Sequence, residues 1–336
     1  MHTKKWQLLL KQVISDPVEL FKQLAIDPRL LPAAQRVVKL FPLRVPAGFV
    51  ARMQKGNPYD PLLQQVLPLA AEEIATPGFS RDPLKEQFAK PLPGLLHKYS
   101  GRVLLTLTGA CAVNCRYCFR RHFPYTENIP GGKAWQSILA YIGADPSIIE
   151  VILSGGDPLL ASDKYLKKCL EDLAAIPHLK ILRIHSRLPI VLPERITTDF
   201  LDSLTATRLQ AVMVTHSNHA NELDDSVRAA MDRLRERKIS LLNQAVLLKG
   251  VNDTVEALSH LSYRLFACGI LPYYLHVLDK VQGAAHFAVD EQQAKQLWIA
   301  LRETLPGYLV PRLVYEQAGA VIFLKMDTRR KASLRH

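Results

Sequence analysis

The segment Thr108-Gly-Ala-Cys111-Ala-Val-Asn-Cys115-Arg-Tyr-Cys118-Phe-Arg-Arg gathers three of the chain's five cysteines within eight residues. A structural zinc site wants four ligands in a tetrahedral array. The other two cysteines, Cys169 and Cys268, lie far away in stretches that read as helices. Three thiolates in one short C-x3-C-x2-C loop instead suit a [4Fe–4S] cluster that leaves one iron without a protein ligand. A second group of chemically capable residues follows short apolar runs: Ser154-Gly155-Gly156-Asp157, His185-Ser-Arg, His216-Ser-Asn-His, Asn243-Gln244 and His276-Val-Leu-Asp279. One polar end after an apolar run means little; five in register are hard to explain as packing.

The elements that must position these residues alternate regularly. Val103–Thr108, Ile149–Ser154, Ile181–His185, Leu209–His216, Ile239–Val246 and Leu271–Val277 read as strands. Each but the first is followed directly by an amphipathic stretch, near 162–175, 196–204, 222–237, 254–267 and 290–303; after the first come the cysteine loop and then a helix near 133–143. Apolar strands joined by helices imply an α/β fold with a parallel sheet. Right-handed crossovers wind six such units into most of a barrel, a partial (β/α)6 barrel. Barrel enzymes carry their chemistry at the C-terminal strand ends, where these polar residues fall. Residues 1–95 read as a helical, proline-punctuated region, with turns at Asn57-Pro-Tyr-Asp-Pro and Thr76-Pro-Gly and no residue singled out for chemistry. The expected division is therefore 1–95 helical, 96–305 barrel core and 306–336 a C-terminal segment over the barrel mouth.

Composition narrows the class. The chain has 336 residues, 48% hydrophobic and 22% charged, which excludes disordered, collagen-like and disulfide-dense classes. No apolar run approaches the ~18–20 residues of a membrane span, and the start lacks a signal-peptide pattern. With an odd cysteine count arguing against a disulfide framework, a cytoplasmic protein with no membrane partner is expected. The net charge of +12 raises nucleic acid as a partner. The basic residues are scattered and no RNA-binding signature accompanies them, so none is expected. Arg329, Arg330, Lys331 and Arg335 form a basic tail.

The cysteine loop after the first barrel strand, with Tyr117 before the third cysteine and Ser154-Gly-Gly-Asp one strand later, resembles the radical S-adenosylmethionine (SAM) superfamily. Within it, Arg116-Tyr-Cys118-Phe-Arg120-Arg121, Leu153-Ser-Gly-Gly-Asp-Pro-Leu159, Arg183-Ile-His-Ser-Arg-Leu-Pro189, Leu242-Asn-Gln-Ala-Val-Leu-Leu248 and Pro272-Tyr-Tyr-Leu-His-Val-Leu-Asp279 resemble the lysine 2,3-aminomutases. The run Tyr273 to Phe287 is similar to the bacterial branch that makes β-lysine for elongation factor P. The resemblance covers roughly residues 15–315 and implies three cofactors: a [4Fe–4S] cluster on Cys111, Cys115 and Cys118, SAM, and pyridoxal phosphate (PLP). It implies L-lysine as substrate and a product passed to the ligase that modifies elongation factor P.

By the same resemblance, Tyr117, Ser154, Gly155, Gly156, Asp157, His185, His216 and Gln244 are candidates for cofactor contact, the glycines because they let a ligand approach the main chain. Arg120 corresponds to an arginine that grips the substrate carboxylate, as a planar guanidinium can. Lys98, Tyr99 and Arg102 sit at positions that meet PLP. Asp279 corresponds to a carboxylate that receives the ε-ammonium, and register with Val310-Pro-Arg-Leu-Val makes Glu316 a second.

The pattern breaks near the end. The family's PLP lysine sits in a Ser-Lys-Thr-Pro-type motif, absent here. Counting from Glu316 without gaps places Phe323 in that position, and Lys325 comes two residues late. Three explanations stay open: a drifted motif in which Lys325 still serves, a frameshifted end, or an enzyme that holds PLP without the usual lysine. Lys325 is the candidate retained, with Lys331 a poorer one. Alternative functions are a radical SAM aminomutase acting on arginine or glutamate, against which Asp279 and Glu316 argue in the case of glutamate, and a cluster-containing RNA-modifying protein.

Overall fold

A computed structural model describes residues 4–317 and 320–323. Nine strands form one sheet in strict chain order: β1 Leu95–Tyr99, β2 Arg102–Thr108, β3 Glu150–Gly155, β4 Ile181–Ser186, β5 Gln210–His216, β6 Ser240–Leu247, β7 Leu271–Val277, β8 Arg312–Gln317 and β9 Ala320–Phe323. β2 through β8 are parallel, and β1 and β9 close the two edges antiparallel. The six strands expected from the apolar runs are β2–β7.

Apart from Gly132–Ala144, whose N-cap is Gly131, the long crossover helices start where side chains can cap them. Ser162, Thr197, Asp224, Thr254 and Asp290 each accept a hydrogen bond from a backbone N–H of the first turn that follows. Each helix turns an apolar stripe onto the sheet, as Leu166, Cys169, Leu170 and Leu173 do on the helix Asp163–Ala174. The N-terminal helices Lys5–Lys11, Pro17–Leu24 and Leu31–Val37 are short, and they contribute Trp6, Leu20, Phe21 and Ala34 to the same core that holds Val103, Leu153 and Leu275.

Two edges lie outside the six expected units. β1 is only a five-residue run after Pro93-Gly94, paired to β2 through a tight turn in which Gly101 adopts φ +78°. β8 follows Pro311 and pairs with β7, adding a seventh parallel strand. Phe323, which register sets in the place of the PLP lysine, ends β9 opposite Val314. Lys325 and the basic tail lie outside the described residues.

The sheet curls strongly. β1 and β8 stand seven positions apart in it, yet the Tyr99 hydroxyl donates to Glu316 Oε1 at 3.3 Å and Lys98 Nζ lies 3.9 Å from the same oxygen. The open barrel is thus bridged by side chains rather than by a strand ladder.

Candidate active site

The cysteine loop leaves β2 at Thr108 and is held from both sides. Gly156 N donates to Thr108 O at 2.7 Å and Asp157 N to Ala110 O at 2.8 Å. On the other side Asn114 N donates to Arg44 O and Arg116 N to Gln65 O, each at 2.9 Å. Gly155 and Gly156 are glycines here for a reason beyond ligand approach: a Cβ on either would run into the main chain of 106–110, and Gly155 also has φ +123°. Gly156→Ala should therefore cost about 1–3 kcal/mol, the scale of overpacking, and disturb the loop it presses on. The expected result is a lowered melting temperature and reduced iron retention; full iron with an unchanged melt would refute it.

All three loop cysteines are free thiols. Burial, reinforced by the neighbouring cysteines, pushes Cys118 up to about 12 and Cys111 well above its ordinary value. They are thus close enough to repel one another as thiolates. Yet no three ligating side chains among the described residues converge on a point a single ion could occupy. Three thiols in one short loop suit a [4Fe–4S] cluster, which takes thiolate ligands on separate irons.

Next to the loop lies a chain of alternating charges. Arg120, 7% exposed, donates from Nε and Nη2 to both oxygens of Glu86 at 2.8 and 2.7 Å. Its Nη1 reaches Ser154 Oγ at 3.3 Å. Lys98 Nζ lies 3.4 Å from Glu86 Oε1 and continues to Glu316. Burial alone would lower the Arg120 pKa and raise that of Glu86. The pair reverses both, holding Arg120 up and Glu86 down. Asp279 belongs to the same field: burial, then the charge of Glu316, push its carboxyl up to about 8 against the pull of Lys98 and Arg120. Arg102 lies over the Tyr99 ring, 4.6 Å from its centroid.

Three imidazoles line the barrel strands. Burial drives His216 down to about 3, His276 to about 4 and His185 well below its usual value, so all three are neutral near pH 7. His216 Nε2 meets Gln244 Nε2 at 2.9 Å. His185 Nε2 and His276 Nε2 are buried without a protein partner, so this interior offers polar atoms to a bound group.

Two candidates are already engaged inside the protein. The Asp157 carboxylate accepts from Ser186 Oγ and from the backbone N–H groups of Leu159, Arg187 and Leu188. The Tyr117 hydroxyl is within 2.7 Å of both Arg187 Nη1 and Asn218 Nδ2. The reading of residues 1–95 as free of chemistry needs correction, because Glu86 and Gln65 both enter this region. Neither sits in a periodic or motif-like stretch, so no sequence signal marks them. Glu72, also from that region, clamps buried Arg116 and Arg121 at 2.6 and 2.8 Å and so anchors the segment carrying Arg120.

Over 315 residues the chain is 53% identical to an L-lysine 2,3-aminomutase of Escherichia coli (strain K12), covering 94% of this chain and 92% of that one. An enzyme of the same name from Haemophilus influenzae is 52% identical over 316 residues, covering 94% of each chain. One from Clostridium subterminale is 33% identical, covering 94% of this chain and 76% of its own. No family profile matches the chain. A solved radical SAM methyltransferase from Sphaerobacter thermophilus aligns at 15% identity and TM-score 0.46, over 68% of this chain and 72% of its own, too distant to carry an argument. A three-thiol loop at the mouth of a curled parallel sheet, with the aminomutase relatives at 33–53% identity, defines a radical SAM enzyme, which works with a [4Fe–4S] cluster and SAM. Among such enzymes the chain belongs to the lysine 2,3-aminomutases, isomerases whose substrate is lysine. No helix among the described residues is long and apolar enough to cross a membrane.

Proposed function

We propose that this lysine 2,3-aminomutase depends on PLP, works in the cytoplasm, and makes β-lysine for the ligase that modifies elongation factor P. The observation that carries the PLP and substrate reading is the charge chain at the barrel mouth. A lysine zwitterion with a charged tail needs a cation for its carboxylate and anions for its ε-ammonium. Arg120 supplies the first, with Nη1 turned to Ser154, while Asp279 and Glu316 supply the second. Such a buried field is costly unless each charge finds a partner, and substrate and cofactor charges complete it.

The residues present fit PLP in part. Lys98 and Arg102 are cations suited to its phosphate, and the orphaned His185 and His276 nitrogens are buried donors or acceptors for a polar ring or ribose. PLP, when bound, supplies a π-system over which the unpaired electron spreads while the amino group moves. The chain's own residues bind and orient the substrate: Arg120 fixes one end, Asp279 and Glu316 fix the other, and the distance between them selects the reacting carbon. The curled sheet walls the site and keeps water from a reactive radical. Delivery to elongation factor P is supported by the likeness of Tyr273–Phe287 to that branch, and the cytoplasm by five unpaired cysteines.

The test is an anaerobic assay of the reconstituted enzyme with lysine, SAM and reductant. β-Lysine should form with PLP added and fall to background after PLP is removed. Borohydride treatment of the PLP-loaded protein should fix the cofactor to a peptide containing Lys325, since a lysine amine is the usual covalent anchor. Turnover without PLP overturns the cofactor assignment; label on Lys98, or nowhere, overturns Lys325 as the anchor.

A further inference from the structure

Arg187 follows the last residue of β4 and is 5% exposed, with no part in the substrate reading. Its backbone N–H is fixed by Asp157 Oδ2 at 2.9 Å. Its guanidinium is fixed more thoroughly still. Nη1 lies 2.7 Å from Cys115 Sγ and 2.7 Å from the Tyr117 hydroxyl. Nη2 donates to Gln65 Oε1 at 2.6 Å and to Glu222 Oε2 at 3.1 Å. The rings of Phe49 and Tyr117 flank it at 5.5 and 5.6 Å. Glu222 is fully buried, and its other oxygen accepts from Asn218 N, His219 N and Gln65 Nε2 at 2.8, 3.1 and 3.1 Å. Four separate parts of the chain therefore aim one cation at one sulfur.

We propose that Arg187 is a positioning residue that sets how readily the cluster accepts an electron, and that Glu222 opposes it. The inference rests on Cys115 being a cluster ligand. In the step concerned, one electron passes from an external reductant to the cluster, and no bond at Arg187 forms or breaks. Hydrogen bonds to cluster sulfurs and net charge near the cluster are established determinants of its potential. An N–H pointed at the Cys115 sulfur, carrying a buried positive charge, stabilises the more negative reduced state. The Glu222 carboxylate, 3.1 Å from the same guanidinium, cancels part of that charge. The two residues thus act with opposite sign on one property, which a packing role does not produce.

The test uses the full-length protein, anaerobically reconstituted without SAM, in a potentiometric titration followed by electron paramagnetic resonance. Arg187→Gln should make reduction at least tenfold less favourable, a fall of about 59 mV for one electron. Arg187→Lys, which keeps the charge but not the fork, should fall less. Glu222→Gln, which keeps an acceptor but not the charge, should raise the midpoint. Iron content is measured alongside. Wild-type protein that takes up no iron at its three cysteines would remove the cluster assignment itself, a distinct failure. With iron loaded, unchanged midpoints or shifts of one sign in both Arg187→Gln and Glu222→Gln overturn the proposal. If Arg187→Gln does not load, Glu222→Gln decides by rising or not. Loss of iron from both also overturns it, because the network then serves assembly.

Discussion

Cys115→Ala should leave a folded protein that takes up no stable iron or sulfide on anaerobic reconstitution and converts no lysine. Cys111→Ala and Cys118→Ala should behave alike. The loop supplies three thiols with free sulfurs, and a cluster that already has one iron without a protein ligand has no spare attachment to lose. Cys115→Ala also deprives Arg187 Nη1 of its sulfur partner. Folding should survive, because the loop is tied by its backbone to Gly156, Asp157, Arg44 and Gln65 rather than by its sulfurs. Cys169→Ala and Cys268→Ala are the controls. Both sulfurs are buried in the core away from the loop, one inside the helix Asp163–Ala174 and the other capping Val255–Ala267. These variants should keep their iron and lose only stability. Iron, sulfide and visible absorbance per chain measure the difference, and a fully loaded Cys115→Ala protein would falsify the ligand assignment.

Asp279→Ala should lower kcat/KM for lysine at least tenfold while leaving the cluster loaded. The proposed partner of Asp279 is the substrate ε-ammonium, and a hydrogen bond to a charged group contributes roughly 1.5–3 kcal/mol. The pH dependence distinguishes this role from a structural one. Burial and the Glu316 charge hold the Asp279 carboxyl near 8, so it is largely protonated below that pH in the substrate-free site. Lysine's ε-amine stays charged to about pH 10.4, and it pairs only with the ionised carboxylate. Affinity should therefore weaken as pH falls below about 8, by up to tenfold per unit, and level off above it. Asp279→Ala should abolish that slope as well as raise KM. A variant with wild-type KM and the wild-type slope would place the ammonium elsewhere.

Much of this site is legible in the sequence because its parts are local. Three cysteines in one loop and a polar residue after each apolar run survive as linear patterns, since each strand end needs only its own neighbours. β2 to β7 are legible for the same reason. Glu86, Gln65 and Glu222 are not, because their importance comes from what they face. Glu86 is an unremarked acid in a proline-rich stretch until the curled sheet brings it against Arg120 and Lys98. Arg187 stands inside a recognisable motif, yet its aim at Cys115 depends on Gln65 and Glu222, 122 and 35 residues away. β1 and β8 escape a periodicity reading because one is short and the other follows Pro311 with no helix behind it. The Gly-Gly pair is expected from sequence to admit a ligand, and the structure adds a second constraint, because the main chain of the cysteine loop packs against both glycines.

The side-chain bridge from Tyr99 to Glu316 has a consequence for how the chain reaches its active form. Each parallel strand pairs with the one before it, so the sheet can grow by successive docking of short segments, with little loop entropy lost at each addition. The bridge instead joins residues 217 positions apart and gains nothing until β8 is in place. Its closure entropy falls on a few side chains rather than on a strand ladder. Opening the mouth therefore breaks those side-chain contacts and unpairs no strand of the ladder.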